Sequence, residues 1–388
     1  MHVHVDKRGD LAVYLANGVT TILDMGGGAI AFTAQVRPAV NEGRIPGPYI
    51  YSSLRVDGSP RYGNLVASTP EDARAIARLA KTNRFDFIKV YNDLSASTFD
   101  ALIDEARRQQ IPVVGHGVTE VGLERQVAAG QALVAHVEEF LYTTFADHDD
   151  APDQAYREPS GERVAQAIAF LKTHDAYVMA DLNTYATIAR QWGRPEVVET
   201  FMTLPALRHL SPEDRIRWRA QGYKNRTGDL SAQLHFLSTF TRALSEAGVH
   251  LVAGTDAPTI AGLLPGYSLH DALKALRDVG LTPFQTLSVA TRLPGDYIQR
   301  TKPESEPFGV IAPGTRADLI LSSENPLENL ATLRRPLGVM TRGKWYSRVD
   351  LQALVEAVEG TYSDAVLAPD SKSLRREQRS LQGDTQHR

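Results

Sequence analysis

Short runs of apolar and β-branched residues recur along the chain, and most are followed by a stretch whose apolar positions return every three or four residues. The runs are Val3–Val5, Val19–Asp24, Tyr49–Ser53, Phe85–Tyr91, Pro112–His116, Ala132–His136, Ala176–Asp181 and His250–Asp256. Runs of this length read as buried strands, and the longer period reads as amphipathic helix. Glu71–Thr82 and Ser97–Gln110 show the helical period. Ahead of the first, Thr69-Pro70-Glu71-Asp72 offers an N-cap, a proline at the first helical position and acids in the first turn. Strand–helix alternation predicts a parallel α/β sheet, and eight units predict a (β/α)8 TIM barrel. We assign residues 1–305 to it.

Two stretches break the rhythm. Ile188–Gly228 reads as an insertion between the seventh and eighth strands, rich in Arg, Trp and Pro. Phe308–Tyr346 changes character, with short strands at Ala317–Leu321 and Gly338–Met340 and turns at Pro313-Gly314 and Arg342-Gly343. We read residues 306–350 as a small, incomplete β-sandwich appendage. Residues 351–388 are expected to hold a terminal helix and, after about Ala368, a disordered tail.

Composition narrows the possible partners. The 388 residues are 43% hydrophobic and 23% charged, with a net charge of -4. Acidic and basic residues are interleaved, so neither nucleic acid nor a membrane surface is an expected partner. No apolar run approaches the roughly 20 residues that span a bilayer. A small-molecule substrate and a homo-oligomeric state are expected. The chain has no cysteine, which removes disulfides, thiolate metal sites and cysteine nucleophiles together. A metal would have to be held by His, Asp, Glu or a modified Lys. Composition does not fix the compartment.

Those residue types stand at strand ends. His2-Val3-His4 puts two imidazoles on one face of a strand, since residues i and i+2 point the same way. Lys89 interrupts the apolar run Phe85-Asp-Phe-Ile-Lys-Val-Tyr91. His116, His136 and Asp256 close the fifth, sixth and eighth runs. Each has an ordinary explanation alone: a snorkelling lysine, a satisfied histidine, a helix-capping aspartate. Together they put a metal-competent group at five strand ends on the rim where such barrels build active sites. A lysine fits among cations if its neutral amine captures CO2, because a carbamate has two oxygens able to bridge metals about 3.5–4 Å apart.

With these residues in place, the chain resembles the binuclear branch of the amidohydrolase superfamily, and within it the imidazolonepropionase-like and Xaa-Pro dipeptidase-like members. The segments that carry the likeness are Asn17-Gly-Val-Thr-Thr-Ile-Leu-Asp-Met-Gly-Gly, Gly254-Thr-Asp-Ala-Pro, Leu281-Thr-Pro-Phe-Gln-Thr-Leu-Ser-Val-Ala-Thr and Phe308-Gly-Val-Ile-Ala-Pro-Gly-Thr-Arg-Ala-Asp-Leu-Ile-Leu. It spans roughly residues 1–350, and the insertion matches least. The resemblance implies two divalent ions: one on His2, His4 and Asp256, the other on His116 and His136, with carboxylated Lys89 between them; zinc is the default metal for such His/carboxylate donors, with Mn, Co and Fe as the alternatives. It implies amide hydrolysis by a metal-bridging hydroxide, with Asp256 as base and then acid. A dipeptide or N-acyl amino acid, with proline on its C-terminal side, is the first-choice substrate.

Supporting roles have two readings each. His270 supports a ligand from behind or is a helix-surface histidine. Tyr142 and Tyr185 are oxyanion donors or ordinary rim aromatics. Asp24 orients a ligand histidine or makes a turn. Arg55, Arg190 and Arg194 are candidates to hold a substrate carboxylate, or solvated surface groups. Gly26-Gly-Gly-Ala-Ile-Ala31 fits a dinucleotide loop, but no acidic residue closes a following strand at the required distance. No G-x-S-x-G elbow is present.

Two rival functions stay open. A lactone or cyclic amide hydrolase of the same fold would use the same residues. A shortened, catalytically impaired member is the other, because Met1 directly precedes the first ligand; that reading expects His2 on a fraying end and bare strand edges in Phe308–Tyr346. A reading frame extending upstream of Met1 would exclude it.

Overall fold

The computed structural model describes residues 2–26, 30–146 and 156–363. Eight parallel strands follow one another in chain order: β1 (His2–Val3), β2 (Thr21–Asp24), β3 (Tyr49–Asp57), then β5 (Phe87–Val90), β6 (Val113–Gly115), β7 (Gln131–Val134), β8 (Tyr177–Met179) and β9 (His250–Val252). The short β4 (Leu65–Val66) pairs beside the end of β3. All eight expected runs form strands, and both periodic stretches form helices, Pro70–Thr82 and Ala96–Arg108. Thr69 caps the first, taking a hydrogen bond from Asp72 N while Asp72 bonds back.

Alternation sorts the strand side chains into two sets. Leu23, Tyr51, Phe87, Val114, Leu133, Tyr177 and Val252 pack together inside the curl, with Tyr297, Ile298 and Phe308. The next position along faces the helices. Ile22 and Ile50 meet Leu11, Tyr14, Val36 and Val40. Ile88 and Val113 meet Ile76, Phe99 and Leu102. The sheet curls until its ends touch. His2 O accepts from Thr255 N at 3.0 Å and Asp256 N at 3.2 Å, and His4 N donates to Ala257 O at 2.9 Å. Gly254 makes this approach possible, since a Cβ there would lie 2.8 Å from His2 Cβ and 2.5 Å from Met179 Sδ. This is the pattern of a TIM-like barrel. His2 is therefore held by β2 and by the segment after β9, fully buried rather than fraying.

The stretch read as an insertion is largely helical: Leu182–Gln191, Pro195–Phe201 and Pro212–Ala220, with 3-10 turns at Pro205–His209 and Gly222–Asn225. Val198, Phe201, Leu210 and Trp218 bury against Ala261 and Leu264. The Trp218 indole donates to Pro258 O at 2.8 Å. The insertion thus braces the loop after β9.

A three-stranded antiparallel sheet follows: β10 (Leu319–Leu321), β11 (Gly338–Thr341) and β12 (Lys344–Ser347). The last strand was not read from the sequence. It pairs through a two-residue hairpin whose Arg342 and Gly343 both have positive φ, 52° and 76°, as a type I′ turn requires. Leu321, Trp345, Val310 and Ile311 leave much of their apolar surface exposed. The helix Arg348–Thr361 packs Val355 and Val358 on Ala12 and Val13. The expected tail after Ala368 lies outside the described residues. No helix among those described is long and apolar enough to cross a membrane.

Candidate functional site

The inward side of the strand alternation continues past the strand ends and delivers the site. Lys89 stands on the Phe87 side of β5, His116 on the Val114 side of β6, and Asp181 on the Tyr177 side of β8. His2 and His4 share a face of β1. Asp256 sits four residues beyond β9 with φ 54°, a left-handed backbone uncommon for a non-glycine residue and typical of functional positions.

The structure brings all six expected metal ligands together. His2 Nε2 lies 3.3 Å from His4 Nε2, 3.1 Å from Asp256 Oδ1 and 3.3 Å from Lys89 Nζ. His4 Nε2 is 2.9 Å from the same Asp256 oxygen. The rings of His2 and His136 are 4.5 Å apart, and those of His136 and His116 are 4.8 Å apart. Lys89 and His2 are fully buried.

Outer hydrogen bonds fix which nitrogen each ring turns inward. His2 Nδ1 lies 3.2 Å from Ala135 O, and a carbonyl only accepts, so Nδ1 carries the proton and Nε2 keeps its lone pair. His116 Nδ1 is 2.5 Å from Glu139 Oε1, and His136 Nδ1 is 2.5 Å from Asp181 Oδ2. These are the carboxylate–histidine pairs that commonly stand behind metal-binding imidazoles. His116 Nε2 is buried with no hydrogen-bond partner, as expected of a lone pair left for an ion. Ligands 2.0–2.1 Å from a tetrahedral ion lie about 3.3 Å apart, and the separations among His2, His4 and Asp256 match that spacing. His4 is the exception in tautomer, because its buried Nδ1 has no hydrogen-bond partner.

Electrostatics follows from burial and these partners. Burial lowers His4 and His116 to about 4, overriding the carboxylates beside them. Burial also opposes protonation of His136, but Asp181 and Glu138 outweigh it and push that group up to about 10. Burial would raise Asp256, yet His4 and His2 hold it well below the usual carboxylate range. Burial lowers Lys89 to about 8, despite the pull of Asp256.

Several contributors were not singled out in the sequence. Glu139 and Asp181 anchor two ligand rings. Tyr91 stacks on His116 at 3.8 Å, and Glu138 lies beside His136. The signal for Asp181 was present, as the polar end of an alternating Tyr177-Val-Met-Ala-Asp181. The signal for Glu138 and Glu139 was their place just past a strand-end histidine.

The supporting residues divide. Arg55 lies across the sheet from Lys89, and its charge depresses both Lys89 and His4. Its guanidinium sits 5.8 Å from the Tyr91 ring centre, with Nε donating to Asn64 Oδ1. Arg190 instead packs over Phe201, and exposed Arg194 pairs with Asp229. Tyr142 and Tyr185 lie near Glu138, and burial, with that carboxylate, raises both hydroxyls; Tyr185 is buried and Tyr142 exposed. Asp24 Oδ1 accepts from Val5 N and Gly26 N, holding the ends of β1 and β2 together. His270 is elsewhere: buried, it donates from Nε2 to Asn17 O at the end of the helix Arg8–Ala16. Of the glycine loop, residues 27–29 lie outside the described residues.

Comparison with known proteins supplies the deciding observation: the amidohydrolase family model matches residues 5–346. The chain belongs to the amidohydrolase family. No curated protein sequence matches it. Among solved structures, a bottromycin amidohydrolase superposes with a TM-score of 0.70 at 24% identity, over 93% of this chain and 78% of the other. A Xaa-Pro dipeptidase with bound methionine gives 0.59 at 19% identity, over 89% and 85%. An A. niger ochratoxinase gives 0.59 at 21%, over 88% and 74%. These likenesses share the fold. With family membership they make the chain an enzyme, a hydrolase of amidohydrolase type.

Proposed function

We propose that this amidohydrolase is a closed (β/α)8 barrel that cleaves the amide bond of a dipeptide or N-acyl amino acid at a centre of two divalent ions, most simply Zn2+. The observation that carries the reading is the convergence of His2 Nε2, His4 Nε2, Asp256 Oδ1 and Lys89 Nζ through contacts of 3.3 Å or less in a largely buried cluster. His2, His4 and Asp256 would hold one ion, His116 and His136 the other, and Lys89 as a carbamate would join them. The ions, when bound, make water nucleophilic near neutral pH and polarise a carbonyl.

The remaining chemistry belongs to the chain. Asp256 is ionised, so it takes the proton of the attacking water and returns it to the departing nitrogen. Thr259 Oγ1 donates to Asp256 Oδ2 at 2.5 Å and leaves Oδ1 facing the centre. A lysine lowered to about 8 offers an appreciable neutral fraction, and only the amine adds CO2. Of the three candidate arginines, Arg55 is the one at the centre, and it is the proposed grip for a substrate carboxylate. The Tyr142–Tyr185 pair would donate to the oxyanion from the His136 side. The Xaa-Pro dipeptidase structure, with an amino acid in its active site, supports this substrate class.

The test combines metal analysis with a hydrolysis screen of dipeptides, N-acyl amino acids and lactones. Two ions per chain and turnover of an amide substrate are expected. Lys89→Ala and Asp256→Asn are expected to lose at least a thousandfold in kcat. Near-normal turnover in either variant with normal metal content would overturn the mechanism.

A further inference from the structure

A second cluster of carboxylates lies away from the histidines, where the first helix meets the insertion. Asp6 follows β1, Asp10 is in the first turn of Arg8–Ala16, and Asp214 is in the first turn of Pro212–Ala220. One oxygen from each lies within 4.8 Å of the others. Asp10 and Asp214 are completely buried.

Asp10 is the unusual member. Both its oxygens are buried without a hydrogen-bond partner, a costly arrangement for a carboxylate unless something else coordinates it. Burial, then Asp214, raises its pKa well above the usual carboxylate range. The charges of Lys7 and Arg217 pull it back only in part. The Lys7 ammonium reaches Asp6 Oδ1 at 2.6 Å, Glu213 Oε2 at 3.2 Å and Asp214 Oδ2 at 3.5 Å. Arg217 stands 3.0 Å from Asp214 Oδ1, but that oxygen also lacks a hydrogen bond. Among the described residues four carboxylates therefore face two cations, and Asp10 is the one that pairs directly with neither.

We propose that Asp6, Asp10 and Asp214 form a separate, all-oxygen cation site that takes a calcium-class divalent ion and pins the insertion to the barrel. Donor chemistry selects the class, because carboxylates without imidazole suit hard cations. The spacing agrees, since oxygens about 2.3–2.6 Å from a calcium ion stand up to about 5 Å apart across it. Asp6 keeps a third of its side chain exposed, which leaves a path for the ion. The consequence reaches the active site through Pro212–Ala220. That helix carries Trp218, whose indole holds Pro258 O two residues beyond Asp256.

The test uses the full chain saturated with Zn2+, so that the histidine centre is filled first. Equilibrium dialysis against CaCl2 should find one further calcium per chain. Calcium at about a hundredfold over Kd should raise Tm by about 3–5 °C relative to NaCl of equal ionic strength. Asp10→Asn should lose both effects while keeping its zinc content. If the wild-type chain binds no calcium, or Asp10→Asn keeps the shift, the site does not exist. Should Asp10→Asn fail to fold, the wild-type dialysis result decides alone. A more stable Asp10→Asn with no calcium bound to wild type would mean that Asp10 is simply a protonated, buried acid.

Discussion

Glu139 and Asp181 show how much of this centre is set one residue behind the ligands. Each holds an Nδ1–H at 2.5 Å, so each fixes a ring and its tautomer. Glu139→Ala and Asp181→Ala are expected to weaken metal binding by about 10- to 100-fold without unfolding the chain, measured by competition with a chelating dye. His270 is buried neutral, for a reason unconnected with catalysis. Burial and Arg334 lower it to about 4, against about 6.5 in an unfolded chain. Its stabilising contribution is complete above pH 6.5 and is lost as pH falls towards 4, by about 1 kcal/mol per pH unit at most. His270→Gln keeps a donor for Asn17 O. Its Tm should therefore fall less than wild type between pH 6.5 and 4.5, and equal acid sensitivity would refute the assignment. The candidate ligands could be picked out because their ordinary explanations, sufficient one at a time, do not account for such groups at five strand ends together. Glu139 and Asp181 were not, because an acid just past a strand end is also what a helix cap looks like.

At the scale of elements, the strands were legible because both their faces are buried and demand short continuous apolar runs, and the helices because their faces demand a longer period. What escaped was governed by single turns and by docking. β12 depends on Arg342 and Gly343 adopting positive φ, which a short Lys-Trp-Tyr-Ser run does not advertise. No elements were read in the insertion because its helices are seven to ten residues long and polar outside, and what stabilises them is packing on Ala261 and Leu264. Trp218→Phe removes the donor to Pro258 O and leaves a buried carbonyl unmatched, a loss of about 1–3 kcal/mol. We expect a lower Tm and a lower kcat together, because the loop it braces carries Asp256. An unchanged kcat would show that the insertion stabilises without positioning.

The whole molecule depends on contacts between distant parts of the chain. His2 and His4 lie some 250 residues from Asp256 in sequence, and Lys89, His116 and His136 come from three further strands. An ion bound by such a set stabilises the folded chain and not the unfolded one. Exhaustive chelation should lower Tm by several degrees, and zinc should restore it. A Tm indifferent to chelation would argue against the centre. The curled parallel sheet could be anticipated from the count of strand–helix units. How its ends meet could not, because that rests on backbone hydrogen bonds from His2 O and on the absence of a side chain at position 254.

That meeting point has a consequence for engineering. The residue whose carbonyl joins the two ends of the sheet is also a proposed metal ligand, so on that reading closure and chemistry would share a single latch. Gly254→Ala would wedge it open, and hydrolysis should vanish while helical circular dichroism stays nearly intact. Turnover then reports whether the ring has shut, which makes it a sensitive screen for variants or fusions that disturb the chain's beginning.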